Sequence, residues 1–357
     1  MKLNPIEITR ETSRRLAVMG FLCACMIVLI HCTTRPSLDP NQWQWWVVNL
    51  FGADGFCRIA VPYFFVASGF FLVGKIHEGG WYFTAVKKRI RTLLIPFVVW
   101  AFIGIAFDWG MYHGIRLTGY NHHIVNPLAN GAISAFICAL GFDPTEMNIG
   151  PIWYLRMLFL LVLISPLICY GINKAGLFLP LVFFVVYGIY DLTIHYSLFW
   201  EYVFSIRGLA YFIIGCAIRL CGVGFLIDFQ YRKILFLIGW GALIGAVLAR
   251  RYETVLLGNF FDFLMVPPLM LGVWGLTRYI KLPKFLVGNS FPVYLLHIFW
   301  LKISVLALAL FSLQGLRSSS VLVMVFRMIF AISLSVIFSE FLKKYSPMVA
   351  KFIFGGR

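Results

Sequence analysis

The chain has 357 residues, of which 61% are hydrophobic and only 12% are charged, a composition far outside that of soluble globular proteins. Its formal net charge is +16 at pH 7, which in a soluble protein would suggest nucleic acid as a partner. Here the lysines and arginines cluster at the ends of long apolar runs. The composition therefore excludes a soluble nucleic-acid-binding protein and indicates that the partner is the lipid bilayer.

Ten apolar runs follow one another along the chain. A bilayer core about 30 Å thick needs close to 20 residues of a helix that rises about 1.5 Å per residue. The runs are too long for barrel strands and lack their period of two. We therefore predict a single all-α domain over residues 1–357, a polytopic membrane helix bundle. About ten transmembrane helices are predicted, at residues 16–32, 56–74, 92–112, 152–171, 177–195, 205–221, 234–249, 258–277, 286–311 and 321–342.

The orientation follows from the distribution of basic residues, because positively charged loops tend to stay in the cytoplasm. With the N-terminus inside, 20 of the 30 lysines and arginines lie in inner segments and five lie in outer segments. The pair Arg250 and Arg251 is the one local objection. We predict that both termini are cytoplasmic, and that the first helix is retained because no small-residue cleavage site follows it.

Two long connections face the outside in this topology, residues 33–55 and 113–151. The first carries Trp43, Trp45 and Trp46, which are either interfacial anchors or, as the minority alternative, a surface on which a sugar stacks. Within the second, the stretch from Gly131 to Phe142 is apolar but too short to span, which suggests a re-entrant or interfacial segment. Eight cysteines lie mostly in apolar runs without metal-ligand spacing, so we expect small buried side chains and neither zinc nor a predictable disulfide.

Ionisable residues within the predicted helices are functional candidates, since each costs about 2.5 to 3.5 kcal/mol at the bilayer centre unless it is paired or lines water. They are His31, Arg58, Arg156, Arg207, Asp262, His297, Lys302 and Arg327. His31 ends the first helix, where a histidine either anchors at the interface or exchanges a proton. With a pKa near about 6.5, imidazole can take a proton from a hydroxyl and return it.

Two further segments have both a structural and a functional interpretation. The run KKRIRTLLIP at residues 87–96 either sets the topology and touches anionic lipid, or binds the phosphates of a cytosolic donor. The segment VPYFFVASGFF combines Pro62, Ser68 and Gly69, which allow close helix packing or an opened backbone. Ser68 lacks an adjacent base and a GxSxG elbow, so it is not predicted to be a triad nucleophile.

Five segments in order give the chain a resemblance to the membrane-bound acyltransferase 3 family, which includes O-acetyltransferases of bacterial surface polysaccharides and Nod factors. Arg58, Pro62, Phe64, Phe65, Ser68 and Gly69 occupy the matching places of the family's second-helix signature. The five segments are CACMIVLIH, ending at His31; RIAVPYFFVASGFFL, residues 58–72; KKRIRTLLIPF, residues 87–97; GPIWYLRMLFLLVLISPL, residues 150–167; and LVGNSFPVYLLHIF, residues 286–299.

The resemblance implies an O-acyltransferase of the bacterial cytoplasmic (inner) membrane that moves an acyl group, expected to be acetyl, from cytosolic acyl-CoA to a hydroxyl. The acceptor would be a cell-envelope glycan, a lipid-linked saccharide or a related molecule. His31 is implied as the general base or a transient acyl carrier. The other implied roles are donor-phosphate binding for Lys88, Arg89 and Arg91, a substrate path for Arg58, Ser68 and Arg156, and site shaping for Trp153, Tyr154 and His297.

Neither a metal nor a bound cofactor is expected, because a thioester is already activated and the enzyme must mainly position groups and stabilise an oxyanion. One departure stands out. The family's first helix carries an arginine eleven residues before the histidine, and that position is Gly20 here. The departure leaves three interpretations open: another cation substitutes, donor handling is altered, or catalysis is lost. It adds weight to the rival function, a transporter or exporter of a glycan precursor or small anion. A membrane module that only senses or scaffolds is a third alternative.

Overall fold

The computed structural model describes residues 5–32, 40–117, 126–140, 150–193, 204–222, 232–310 and 321–356, and every regular element in these ranges is helical. The all-α prediction is confirmed. The α-helices are α1 Arg10–Cys32, α2 Trp43–Phe51, α3 Ala60–Leu72, α4 Trp81–Arg89, α5 Ile95–Leu117, α6 Ala132–Ala139, α7 Trp153–Leu163, α8 Ser165–Ala175, α9 Phe178–Thr193, α10 Ile206–Leu220, α11 Arg232–Arg251, α12 Val255–Leu276, α13 Lys284–Val287, α14 Ser290–Leu310, α15 Val321–Tyr345 and α16 Pro347–Ile353.

Within the described residues, seven helical stretches are long and apolar enough to cross a membrane, which makes the protein polytopic. They are Arg10–Cys32, Trp43–Lys75, Trp81–Gly114, Lys233–Arg251, Val255–Leu276, Ser290–Ala307 and Val321–Tyr345. The consecutive helices α7 and α8 make an eighth if they are one broken span. The two remaining predicted spans, 177–195 and 205–221, coincide with the shorter helices α9 and α10.

The continuous helix predicted over residues 152–171 is wrong in one respect. Helix α7 ends at Leu163, and α8 begins at Ser165 with Pro166 in its first turn. Proline has no backbone N–H, and its ring collides with the carbonyl four residues before it. A helix that reaches Pro166 from the N-terminal side therefore stops, and a new one starts where proline is tolerated.

The chain divides into two compact units. The first consists of Met1–Trp81, Ile164–His195 and Ile206–Ser339, and the second consists of Tyr82–Leu163, Tyr196–Ser205 and Glu340–Arg357. Parts of the two long connections, residues 33–39, 118–125 and 141–149, lie outside the described residues. The single domain over residues 1–357 stays a prediction.

In the first unit, small residues bring helices close together. A Cβ atom on Gly69 of α3 would collide with the carbonyl oxygen of Phe212 in α10, and one on Gly215 of α10 would collide with that of Val66 in α3. The close packing predicted from Gly69 is thus confirmed, as is typical of helices that associate in membranes. Helix α1 packs against both α3 and α14, and α11 packs against α12.

In the second unit, helices α4 and α5 are joined by a π-helical segment, Ile90–Leu94. Such segments are rare and occur often at functional sites. Helix α6 packs on α5 with the rings of Phe102 and Phe136 stacked 5.0 Å apart, so the short apolar stretch forms a short helix. Its re-entrant or interfacial position stays a prediction. The C-terminal helix α16 also contacts α5, where Trp100 Nε1 donates to the carbonyl of Ile353 over 2.9 Å.

All eight cysteines are free thiols, and six of them are buried. This agrees with their prediction as small apolar side chains.

Candidate active site

Two histidines from distant parts of the sequence meet in the first unit. Helix α1 packs against α14, and this places the imidazole of His31 with its ring centroid 5.2 Å from that of His297. The side chain of His31 is exposed at the end of α1, whereas His297 is completely buried. Among the described residues His31 has no hydrogen-bond partner.

The protonation of His297 follows from its neighbours. Its Nδ1 lies 2.7 Å from the carbonyl oxygen of Tyr294 and 3.2 Å from that of Val293. A carbonyl oxygen only accepts, so Nδ1 carries a proton and Nε2 of the neutral ring keeps a lone pair. That Nε2 atom is buried and has no hydrogen-bond partner in the described part of the chain. Within the described residues, His297 therefore keeps a basic ring nitrogen without a partner, next to His31.

A buried arginine lies next to the same helix end. Arg327 of α15 is 5% exposed, and its Nε donates to Ser304 Oγ over 3.2 Å while one terminal nitrogen lies 3.4 Å from the carbonyl oxygen of Cys32. Cys32 directly follows His31 in α1. No described carboxylate lies within ion-pair distance of this guanidinium. A cation at a helix C-terminus contributes at most about 2 kcal/mol, less than the several kcal/mol that burial of an ion costs.

Arg58 belongs to a buried ion cluster in the first unit. One terminal nitrogen donates to Asp262 Oδ2 over 2.6 Å, and Arg250 donates to the other carboxylate oxygen, Oδ1. Arg250 also donates to the carbonyl of Asp54. Arg251 donates to Asn41 Oδ1 over 3.0 Å and lies over the ring of Trp46. Local partners thus account for the two arginines that opposed the predicted orientation.

Ser68, another candidate in the first unit, lies partly buried in α3 beside Gly69. Gly20 is buried in α1, and a Cβ atom added there would meet no other atom within 4 Å. The position that carries an arginine in the family is therefore locally open in this protein.

Four basic residues of the second unit line a pocket of about 990 Å³. Lys88 and Arg91, both predicted to bind donor phosphates, are part of its wall. The C-terminal helix and the turn that follows it also contribute to the lining. The cationic side chains that line the pocket are Lys87, Lys88, Arg91 and Lys351, and the described lining includes no acidic residue. Such a surface suits a ligand with several phosphates.

The C-terminal turn fits closely against the π-helical segment. Gly355 and Gly356 both have a positive φ, of 66° and 73°, and a Cβ atom on Gly355 would lie 2.8 Å from Thr92 Cα. Only glycine combines this backbone conformation with such a close approach. The hydroxyl of Thr92, a lining residue, is buried without a partner among the described residues.

Three other predicted residues of the second unit lie elsewhere. Arg89 is not part of the pocket lining and interacts electrostatically with Tyr154. The rings of Trp153 and Tyr154 form an edge contact at 6.5 Å. Arg156 donates to the carbonyl of Leu140 over 2.6 Å, which caps the C-terminus of α6. This contact gives Arg156 a structural partner in addition to any role toward a substrate.

The structure thus brings together His31 with His297, Arg58 with Asp262, Lys88 with Arg91, and Arg89 with Tyr154. Sequence reasoning gave no role in the site to Arg250 and Lys351, and it named Arg327 only as one of the ionisable residues within apolar helices. Arg327 carried a signal, since it is an arginine within an apolar helix. Lys351 carried none, because a lysine beyond the last cytoplasmic helix end is the ordinary expectation for a membrane protein.

Comparison with known proteins agrees with this architecture. Residues 16–340 match the acyltransferase 3 family, described as an acyltransferase domain, and the chain belongs to this family of membrane acyltransferases. It is similar to the "Succinoglycan biosynthesis protein ExoH" of Rhizobium meliloti (strain 1021), with 25% identity over 167 residues. That alignment covers 46% of this chain and 44% of the relative, so the chain spans less than half the length of the curated relative it matches. No solved structure matches.

Proposed function

We propose that this acyltransferase moves an acyl group, acetyl being the expected one, from cytosolic acyl-CoA to a hydroxyl of a cell-envelope glycan or lipid-linked saccharide. The observation that carries the proposal is the pairing of an exposed His31 with the buried His297. The similarity to a succinoglycan biosynthesis protein supports a polysaccharide as the final acceptor.

In the proposed reaction His31 acts as the general base. It takes the proton of the acceptor hydroxyl while that oxygen attacks the thioester carbonyl, and it returns the proton to the sulfur of the departing CoA. One C–O bond forms, one C–S bond breaks, and the products are an ester and free CoA. Alternatively, an imidazole nitrogen of His31 attacks the thioester first, forming an N–C bond as the C–S bond breaks and CoA leaves. The hydroxyl oxygen then takes the acyl group as the N–C bond breaks, and its proton goes to the released imidazole.

The second unit supplies the donor site in this proposal. CoA carries phosphates at one end, and four cationic side chains of the pocket can bind them: Lys87, Lys88, Arg91 and Lys351. The described lining contains no carboxylate that would compete with the phosphates. The apolar side chains of Ile95, Met348 and Phe352 in the same lining suit the uncharged parts of the donor. Lys351 is therefore added to the residues proposed to bind the donor phosphates. Arg89 does not line the pocket, and we propose that it acts on the site indirectly, through its interaction with Tyr154.

We propose ten transmembrane helices, both termini in the cytoplasm and a bacterial cytoplasmic membrane as the location. A helix at each of the ten predicted positions supports this topology, and so do the local partners of Arg250 and Arg251. Reporter fusions test it. An enzyme active only in the cytoplasm should be active when fused to either end, and a periplasm-specific reporter at either end should be inactive.

The decisive experiment is mass spectrometry of envelope glycans from cells that express the wild type, His31→Ala, His77→Ala or no protein. His77 is an exposed histidine outside both candidate sites and serves as the matched control. We expect an ester mass gain that mild base removes in the wild type and His77→Ala alone. A gain that survives His31→Ala would contradict the assigned base. No gain in any sample, with the protein folded in the membrane, would favour the transporter alternative.

A further inference from the structure

Arg327 is the buried charge that the proposed reaction does not yet use. Its guanidinium has five N–H donors, and within the described residues its hydrogen bonds go only to Ser304 Oγ and the carbonyl oxygen of Cys32. Ser304 is itself occupied, because its hydroxyl donates to the carbonyl of Leu301 over 2.7 Å. Both partners of Arg327 are uncharged, so the described surroundings leave its positive charge without compensation.

Two other buried arginines of the first unit differ from it. Arg15 lies over the ring of Trp274 at 4.2 Å, and Arg219 lies over the ring of Phe70 at 5.0 Å. Both are near helix ends that the proposed topology places in the cytoplasm, where anionic headgroups stabilise cations. Arg327 instead lies seven residues into α15 from its outer end, and no described aromatic ring covers it.

Capping of α1 does not by itself require a buried arginine. Arg14 performs the same task for the chain after α12, donating to the carbonyls of Ile280 and Arg278, and it does so from a partly exposed position. A charge that is removed from water and left without a carboxylate is stabilised when a substrate brings the carboxylate. Because Arg327 contacts the carbonyl oxygen of Cys32, a carboxylate bound to Arg327 would lie near His31.

We infer that Arg327 binds a carboxylate of one of the two substrates, carried either by the acyl chain of the donor or by the acceptor saccharide. The inference rests on the proposed function, and it specifies the substrate class. The acyl group is then that of a dicarboxylic acid, or the acceptor is a uronic acid or another acidic sugar. Guanidinium and carboxylate match in geometry, since two parallel N–H groups meet two oxygens.

The test compares transfer by the purified wild type, Arg327→Gln, Arg327→Lys and the control Arg14→Gln. One arm uses malonyl-CoA against acetyl-CoA, and the other uses methyl glucuronide against methyl glucoside as acceptor. In the arm that contains the natural carboxylate, Arg327→Gln should lower kcat/KM roughly 10- to 100-fold, with much smaller loss for the uncharged substrate. Arg327→Lys should retain an intermediate activity, and Arg14→Gln should preserve the wild-type preference.

Equal losses for charged and uncharged substrates in both arms would overturn the inference and leave Arg327 with a structural or oxyanion role. A wild type that prefers the uncharged substrate in both arms would overturn it as well. If the wild type transfers nothing from any donor, the proposed function fails, and binding decides the inference. Calorimetric titration should then show malonate or methyl glucuronide binding to the wild type and not to Arg327→Gln, and equal binding to both would reject it.

Discussion

The imidazole rings of His31 and His297 lie 5.2 Å apart, although the first is exposed and the second is completely buried. The two side chains are separated by more than 260 positions in the chain and meet because α1 packs against α14. Their different exposure predicts that substitutions at the two positions affect activity and stability differently.

For His31→Gln we expect a loss of turnover of about 10²-fold or more, because general acid–base catalysis contributes at least about that factor. The midpoint of thermal unfolding in detergent should stay close to the wild-type value, since the side chain is exposed and has no hydrogen bond to described residues. Full activity in a transfer assay would contradict the role of His31.

His297→Gln should instead lower both activity and stability. The substitution removes a buried ring, two contacts between Nδ1 and carbonyl oxygens, and the ring contact with His31. Loss of a buried hydrogen-bonded group destabilises by about 1 to 3 kcal/mol. Thermal unfolding and transfer rates are measured on the same preparation. An unchanged unfolding midpoint would show that the buried position of His297 has been assigned wrongly.

Asp262→Asn should be among the most destabilising single substitutions in the first unit. The carboxylate of Asp262 accepts from both Arg58 and Arg250 and is largely buried. Removing one partner of a buried ion pair destabilises by about 3 to 5 kcal/mol, because the other charge is left buried without compensation. Unfolding free energies in detergent measure the effect.

The matched control for this prediction is Glu78→Gln. Lys75 Nζ lies 2.7 Å from Glu78 Oε1, close to the 2.6 Å between Arg58 and Asp262, but both side chains of the first pair are more than half exposed. Exposed ion pairs contribute less than about 1 kcal/mol, so this variant should unfold close to the wild type. Equal destabilisation by the two substitutions would argue against a buried cluster at Asp262.

Alanine in place of glycine should have opposite effects at Gly20 and Gly215. A Cβ atom at Gly20 meets no neighbour, so Gly20→Ala should stabilise α1 by up to about 1 kcal/mol through helix propensity. At Gly215 the same atom collides with the carbonyl oxygen of Val66, which should force α3 and α10 apart and destabilise the protein. Thermal unfolding of the two variants should show shifts of opposite sign.

Lys351→Gln should weaken the binding of acyl-CoA. Because Lys351 lines the basic pocket, its removal should raise the KM for the donor several-fold with little change in kcat, and the effect should shrink as the salt concentration rises. Lys344→Gln removes the same charge from an exposed position that is not part of the lining and should leave KM unchanged. Equal KM values for both variants would exclude Lys351 from the donor site.

The sequence predicted the helices well because a lipid solvent imposes one rule on every span, an apolar run of sufficient length. Each of the ten predicted runs coincides with helical residues. The exception is the break between α7 and α8, just before Pro166. Hydropathy averaged over the whole run does not show that this one proline ends the helix.

The site was less predictable because it depends on contacts between helices. His31 and His297 could each be singled out as ionisable residues in apolar helices, but their proximity depends on which helices are neighbours. From the sequence alone, Arg250 is an exception to the rule that positively charged loops stay in the cytoplasm. The structure explains it by the ion pair with Asp262. Lys351 lines the basic pocket because it lies on the short C-terminal helix α16. The hydropathy of that segment does not distinguish a helix from an unstructured C-terminus.

The π-helical segment Ile90–Leu94 has a consequence for how the second unit could have evolved. Its hydrogen bonds skip one residue more than those of an α-helix, so the helix beyond it is turned relative to an uninterrupted one. Removing one residue there would restore a regular helix and rotate every side chain from Ile95 onward relative to Lys87 and Lys88. The extra residue thus allows the direction of the basic side chains in α4 and that of the apolar side chains in α5 to differ from what one regular helix would impose.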